Sequence, residues 1–174
     1  MGQLIITSYW FAREQIENLR PRFVLSLMDP TSNFYLPQVD SVEVHETIWV
    51  HDIASEASEF GRPYVAPSLE HVQFVIELAQ RWGFEDRVLI HCMAGVSRSA
   101  AAGLIYLSAL NPSRIGQVAS LMRSAGPWLS PNPLMVNLAD NALHLNGRLI
   151  AAHNSMGAAR MHGVVQPVAL PMPA

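Results

Sequence analysis

Lysine is absent from the chain: all eleven of its basic residues are arginine. That excludes a phosphate-binding loop built on a Walker-type lysine and any chemistry through a lysine Schiff base. A single cysteine, Cys92, excludes an intramolecular disulfide and a cysteine-rich metal site. Charged residues make up only 14% of the chain and the formal net charge is −3, so no basic surface for nucleic acid or an acidic membrane is expected. No uncharged apolar run reaches the roughly 18 residues of a membrane span. "MGQLIITSYW" lacks a basic leader followed by a long apolar stretch, so no signal peptide is expected and the expected compartment is the cytoplasm.

What is present suits a compact fold. Half of the 174 residues are apolar, enough to fill the core of one domain. "LIITS" (4–8) and "RFVLSLMD" (22–29) are short apolar runs that read as strands, separated by the helical "FAREQIENLRP". "VEVHETIWVHDI" (42–53) supplies one or two further strand segments. Pro67 suits the first turn of a helix whose apolar positions are Leu69, Val72, Val75, Ile76 and Ala79, stopped by Gly83. "RVLIHC" is fully apolar and too short for a helix, which predicts a central strand, and Ser99 to Leu110 is a nearly uncharged, buried helix. Two more helices carry Ile115, Val118, Ala119 and Met122, then Leu134, Leu138, Ala142 and Leu145. Strands alternating with helices predict an α/β fold, a mostly parallel central sheet flanked by helices in a single domain over residues 1–150. Residues 151–174 lose periodicity and gain Pro and Gly, and are expected to form a poorly ordered C-terminal extension.

The chemistry concentrates where "RVLIHC" hands over to the next helix. Ligands of open α/β sheets bind at the carboxyl ends of strands, where the following helix presents free backbone N–H groups. In "CMAGVSR", the small residues Ala94, Gly95 and Ser97 let the backbone curl so that successive N–H groups converge into an anion cradle. The positive end of the helix beginning near Arg98 adds to it, and the Arg98 guanidinium can give an oxyanion two hydrogen bonds. The same field favours Cys92 as a thiolate. A lone cysteine is ordinarily a buried residue in a tight turn; His91, Gly95, Arg98 and Ser99 at fixed offsets around it favour a reactive one.

"HCMAGVSRS" resembles the His-Cys-x5-Arg-Ser loop of cysteine-dependent protein tyrosine and dual-specificity phosphatases, and "AGVSRSA" is similar to small bacterial tyrosine-phosphatase-like proteins. The resemblance implies a phosphotyrosine-phosphatase-like fold and hydrolysis of phosphoric monoesters through a cysteinyl-phosphate. It implies that Cys92 attacks phosphorus, that the loop Met93, Ala94, Gly95, Val96, Ser97 and Arg98 binds the phosphoryl oxygens, and that Arg98 stabilises the transition state. It further implies that Ser99 hydrogen-bonds the departing thiolate and that His91 orients the loop and tunes the thiol. No cofactor and no metal are implied, and the partner is a phosphorylated protein or a small phosphate monoester.

Expelling an alkoxide or phenoxide requires a proton donor. The resemblance implies an Asp upstream of the cysteine strand, and "WVHDI" places Asp52 at a strand end before a polar connection. The 40-residue separation from Cys92 is longer than the resemblance leads one to expect, and Glu56 and Glu59 in the same connection are rival acids. As an alternative role, Asp52 is a turn or capping carboxylate. "SPNPLMVNLAD" resembles the segment whose Asn braces the phosphate loop, which implies that role for Asn132; "SPNP" equally suits a helix N-cap.

The loop interior holds no basic residue besides Arg98, which favours a single phosphate monoester over polyphosphorylated inositides. Phe60, Tyr64 and Trp128 are candidates for stacking on a phosphotyrosyl ring. Two other readings compete: a phosphate-binding module without turnover, and a rhodanese-like sulfurtransferase. With no second cysteine to trap a sulfenic acid, a reactive Cys92 is expected to be inactivated by peroxide.

Overall fold

The computed structural model describes residues 2–37, 39–54, 64–83, 86–161 and 163–172. Five strands form one sheet: β1 (Gln3–Ser8), β2 (Phe23–Met28), β3 (Val44–Trp49), β4 (Arg87–Cys92) and β5 (Val168–Pro171). Their order is β3-β2-β4-β1-β5, so β4 lies at the centre. The first four run parallel and β5 pairs antiparallel with β1. Six helices flank the sheet: α1 (Tyr9–Leu19), α2 (Leu69–Trp82), α3 (Arg98–Leu110), α4 (Ile115–Ala125), α5 (Pro133–Ala142) and α6 (Arg148–Ser155).

Side-chain alternation divides the core in two. Leu4, Ile6, Phe23, Leu25, Leu27, Val88 and Ile90 point to one face, where α2 through α6 cover them. Ile5, Val24 and Leu89 point to the other, under Ala12 and Ile16 of α1 and Leu36 and Val42 of the β2–β3 connection. Parallel strands buried on both faces read as near-continuous apolar runs, which is how β2 and β4 appear in the sequence. α3 is buried along most of its length. It lies so close to β1 that a Cβ at Gly103 would meet the Ile6 side chain at 2.6 Å.

The helix ends follow from local chemistry. Ser68 caps α2 in a capping box with His71, and Gly83 closes it at φ +58°. Asp140 accepts from the amides of Gly147 and Leu149 and so caps α6 from the preceding helix.

Several expectations are corrected. Residues 42–53 supply one strand, within the one or two expected, because the chain leaves the sheet after Trp49. Leu69, expected on the buried stripe, is the first residue of α2 and is exposed. The boundary expected at residue 150 falls inside α6. The segment after it is not a wholly irregular tail: Val168, Leu170 and Met172 are buried as β5 closes the β1 edge. Three residues between two prolines give too short a period-2 pattern to announce a strand, and proline suits only edges and strand ends.

Candidate active site

β4 ends at the middle of the sheet, and the chain turns through residues 93–97 into α3. The turn requires Gly95 twice over. Its φ is +73°, and a Cβ there would lie 2.6 Å from the Ser8 amide nitrogen, a contact that cannot give way because it is backbone. The loop also accepts a hydrogen bond from the Tyr9 amide at Met93 O (3.3 Å) and one from the Ser130 amide at Val96 O (2.9 Å). It is therefore held from the start of α1 on one side and from the segment before α5 on the other.

Cys92 is buried at the base of this turn. Its Sγ accepts from the Gly95 amide at 3.3 Å and lies 3.1 Å from Ser99 Oγ. α3 begins six residues after Cys92, and the amides of its first turn lack partners four residues back. Arg98 is also buried: Nη1 donates to the Val50 carbonyl at 2.7 Å, while Nε has no hydrogen-bond partner among the described residues. A buried guanidinium N–H without a partner beside a buried thiol is a donor set suited to an oxyanion.

Asp52 is brought to the same place, just beyond β3. Its Oδ1 accepts from Ser97 Oγ at 2.7 Å and from Asn132 Nδ2 at 2.9 Å, and its Oδ2 lies 3.9 Å from Arg98 Nε. Asn132 does two jobs. Its Nδ2 also donates to the Ile53 carbonyl, and its Oδ1 accepts from the Leu134 and Met135 amides at the start of α5. The Asn132 side chain thus caps α5 and bonds Asp52 and Ile53, and its backbone amide donates to the Ser97 carbonyl at 3.3 Å. Glu56, Glu59 and Phe60 lie outside the described residues. Tyr64 meets the His51 ring edge-on, and Trp128 packs against the main core with its indole N–H buried and unpaired.

His91 faces the opposite side of the sheet from Cys92. It is fully buried, and burial, reinforced by nearby His45, pushes its pKa down to about 4, so the ring is neutral at physiological pH. Its Nε2 lies 2.6 Å from Ser26 Oγ, and Ser26 Oγ in turn lies 2.7 Å from His45 Nε2.

Sequence reasoning missed four polar residues here: Ser26, His45, Asp29 and His51. Asp29 Oδ1 accepts from the Thr31 amide and hydroxyl and lies 3.1 Å from His51 Nε2. Burial raises the Asp29 carboxyl, but Thr31, His51 and Arg98 together leave it below its usual value. His51 exchanges two bonds with Val65: its amide donates to the Val65 carbonyl, and its Nδ1 accepts from the Val65 amide, both at 2.9 Å. It thereby ties the far end of the connection to the residue before Asp52. One signal was available: Ser26 is the sole polar residue of the strand "FVLSLM".

No protein-family sequence model matches the chain. Solved structures do. Human DUSP28 superposes with a TM-score of 0.59 at 21% identity, over 88% of this chain and 92% of that one. The human tyrosine phosphatase-like serine/threonine/tyrosine-interacting protein gives 0.63 at 16% identity, over 82% and 92%. The Yvh1 phosphatase domain from Chaetomium thermophilum gives 0.62 at 18% identity, over 84% and 93%. The chain has the dual-specificity phosphatase fold. In this chain the central parallel strand β4 delivers Cys92 to the sheet's carboxyl edge. Among the described residues no group of three or more His, Cys, Asp or Glu is placed to hold a metal ion, and no helix is long and apolar enough to cross a membrane.

Proposed function

We propose that this protein hydrolyses phosphoric monoesters through a cysteinyl-phosphate and acts on phosphotyrosyl or other phosphorylated proteins in the cytoplasm. The observation that carries the reading is one cluster. Cys92 Sγ sits between the Gly95 amide and the Ser99 hydroxyl, and the same loop leads into a buried Arg98 whose Nε has no hydrogen-bond partner among the described residues and lies 3.9 Å from Asp52 Oδ2.

The Cys92 thiolate attacks phosphorus while the loop amides and Arg98 take up the charge on the equatorial oxygens. The P–O ester bond breaks, and the leaving oxygen takes its proton from Asp52. Ser97 and Asn132 hold Oδ1 as an acceptor, which assigns that proton to Oδ2. Water then attacks the phosphocysteine and gives a proton to the Asp52 carboxylate. The P–S bond breaks, and Ser99 donates to the returning thiolate. Inorganic phosphate leaves and the starting protonation state is restored.

A phosphate-binding module without turnover is the second reading, favoured by the two donors that engage Asp52 Oδ1 as part of the loop's bracing. Hydrolysis of an aryl phosphate in the presence of a chelator separates the two. Wild type is expected to turn over, and Cys92→Ser to lose turnover while still binding the phosphate ligand. Asp52→Asn is expected to slow the reaction by about 10²–10⁴-fold, most for poor leaving groups. Binding without turnover in wild type supports the module, and full activity in Cys92→Ser refutes the covalent mechanism. Thiosulfate turnover without ester hydrolysis would move the protein to the sulfurtransferases.

A further inference from the structure

A surface of aromatic side chains adjoins the Cys92 loop. Trp10 and Tyr35 are each 66% exposed, and Phe34 is exposed as well. β1 and β2 run parallel to β4, so the carboxyl ends of all three lie at one edge of the sheet. Tyr9 and Trp10 follow directly on β1, and Phe34 and Tyr35 lie in the connection that leaves β2. The Tyr9 amide donates to Met93 O, so the surface starts at the loop itself.

The surface is preformed. The rings of Tyr9, Trp10 and Phe34 pack on one another edge to face, with centroids 5.4 to 5.6 Å apart. The Tyr9 hydroxyl donates to the Tyr35 carbonyl at 3.3 Å, and Leu36 anchors that stretch in the core. A cleft of about 420 Å³ lies along it, lined by Tyr9, Trp10, Arg13 and Tyr35. Tyr35 also borders a second cleft, of about 600 Å³, that reaches Trp49 at the end of β3. Rings already held by one another lose little freedom when a ligand covers them, and a contiguous exposed apolar patch marks a binding surface.

Charge decides what covers it. Among the described residues the only arginine lining either cleft is Arg13, which is paired with Glu17 and shares a smaller cleft with Asp40. Near the end of β2, Asp29 is engaged by Thr31 and His51. An anionic bilayer calls for several basic groups on the docking face, and acidic residues beside a phosphate call for at least one that is free. Neither demand is met here. Uncharged apolar side chains need only the rings. An extended polypeptide with its phosphorylated residue over the loop passes its next residues across this edge, at about 3.3 Å per residue.

We propose that this surface docks the polypeptide flanking the phosphorylated residue of a protein substrate and selects uncharged, apolar side chains there. The inference rests on the phosphatase reading and narrows its substrate class to phosphoproteins with an apolar flank.

The experiment compares a small aryl phosphate with three phosphotyrosyl peptides of one length, carrying Leu, Gly or Glu at the two positions on each side of the phosphotyrosine. The Leu peptide is expected to exceed the Gly peptide about tenfold in kcat/KM, with the Glu peptide lowest. Trp10→Ser and Tyr35→Ser, both at exposed positions, are expected to bring the Leu peptide down to the Gly value through KM. Turnover of the aryl phosphate, too small to reach the surface, should stay at the wild-type rate. Calorimetric Kd values for the same peptides on Cys92→Ser protein are expected to follow the same order. Equal values for Leu and Gly, a preference for Glu, or a Leu preference that survives both substitutions would overturn the proposal. So would Trp10-dependent binding to phosphatidylserine vesicles, or a Trp10-dependent dimer, in a protein without the Leu preference. Aryl phosphate turnover with equal peptide values removes the docking surface alone. Ordered Kd values that Trp10→Ser abolishes, in a protein that hydrolyses no ester, would sink the phosphatase reading and leave the docking surface standing.

Discussion

On the side of the sheet facing α3, β1, β2 and β4 present aliphatic and aromatic side chains until Ser8 and Cys92, which end β1 and β4. On the side facing α1 the same strands start apolar, with Ile5, Val24 and Leu89, and turn polar at their carboxyl ends, with Thr7, Ser26 and His91. The nucleophile therefore emerges from the face that supplies most of the buried apolar area. The buried polar side chains Ser26 and His91 stand on the other face and bond to each other. Strand alternation makes this division unavoidable: adjacent residues of β4 cannot share a face.

Neighbouring residues of β2 offer the sharpest way to test the division. Leu25→Ala removes a fully buried side chain from the apolar face and is expected to cost about 2–5 kcal/mol of stability in denaturant unfolding. Ser26→Ala, one residue on, removes a hydroxyl bonded to two histidines and is expected to cost less, about 1–2 kcal/mol. A Ser26→Ala loss as large as that of Leu25→Ala would show that the two faces do not differ in what they contribute.

The polar face also predicts a pH dependence. His91 binds a proton near 6.5 when unfolded and near 4 when folded, so between those values the unfolded chain holds more protons. Stability is full above 6.5 and is lost as pH falls toward 4, by roughly 3 kcal/mol for this one residue. His45, His71 and His153 are lowered by burial and add loss of the same sign. Thermal unfolding between pH 7 and pH 4 should show the fall, and His91→Gln should flatten it. A His91→Gln curve parallel to wild type would remove the residue from the account.

The smallest effect is expected at Thr7, whose buried hydroxyl has no partner among the described residues. Thr7→Val keeps the shape and removes the unpaired group, and should leave stability within about 0.5 kcal/mol or raise it. A loss larger than 1–2 kcal/mol would mean that the hydroxyl is bonded to ordered water.

Much of this was legible from local pattern. β4 was readable because six apolar or β-compatible residues are too few for a helix, and the loop because Cys92, Gly95, Arg98 and Ser99 stand in one short run. Asp52 was reached from a strand end and the need for a proton, and the structure places it beside Arg98. The partners brought in by register were not legible. Ser26 meets His91 across 65 residues, and His45 reaches Ser26 from a third strand, contacts that exist only once strand order is known. α6 was missed because its cap, Asp140, comes from the preceding helix and not from its own first residues. Leu69 was misplaced because a helix's first residue is offset from the stripe that its later turns define.

β5 has one more consequence. Of the sheet's two borders, that of β3 has no further strand among the described residues, and that of β1 is shielded by the four residues of β5, after which the Met172 amide bonds to the Gly2 carbonyl. A protein shortened to residue 150 would keep every residue assigned to the chemistry, yet it would bare the β1 backbone as a template for a neighbour's strand. Its expected defect is self-association, visible as higher-mass species on sizing columns and as precipitation at concentrations where the full chain stays in solution.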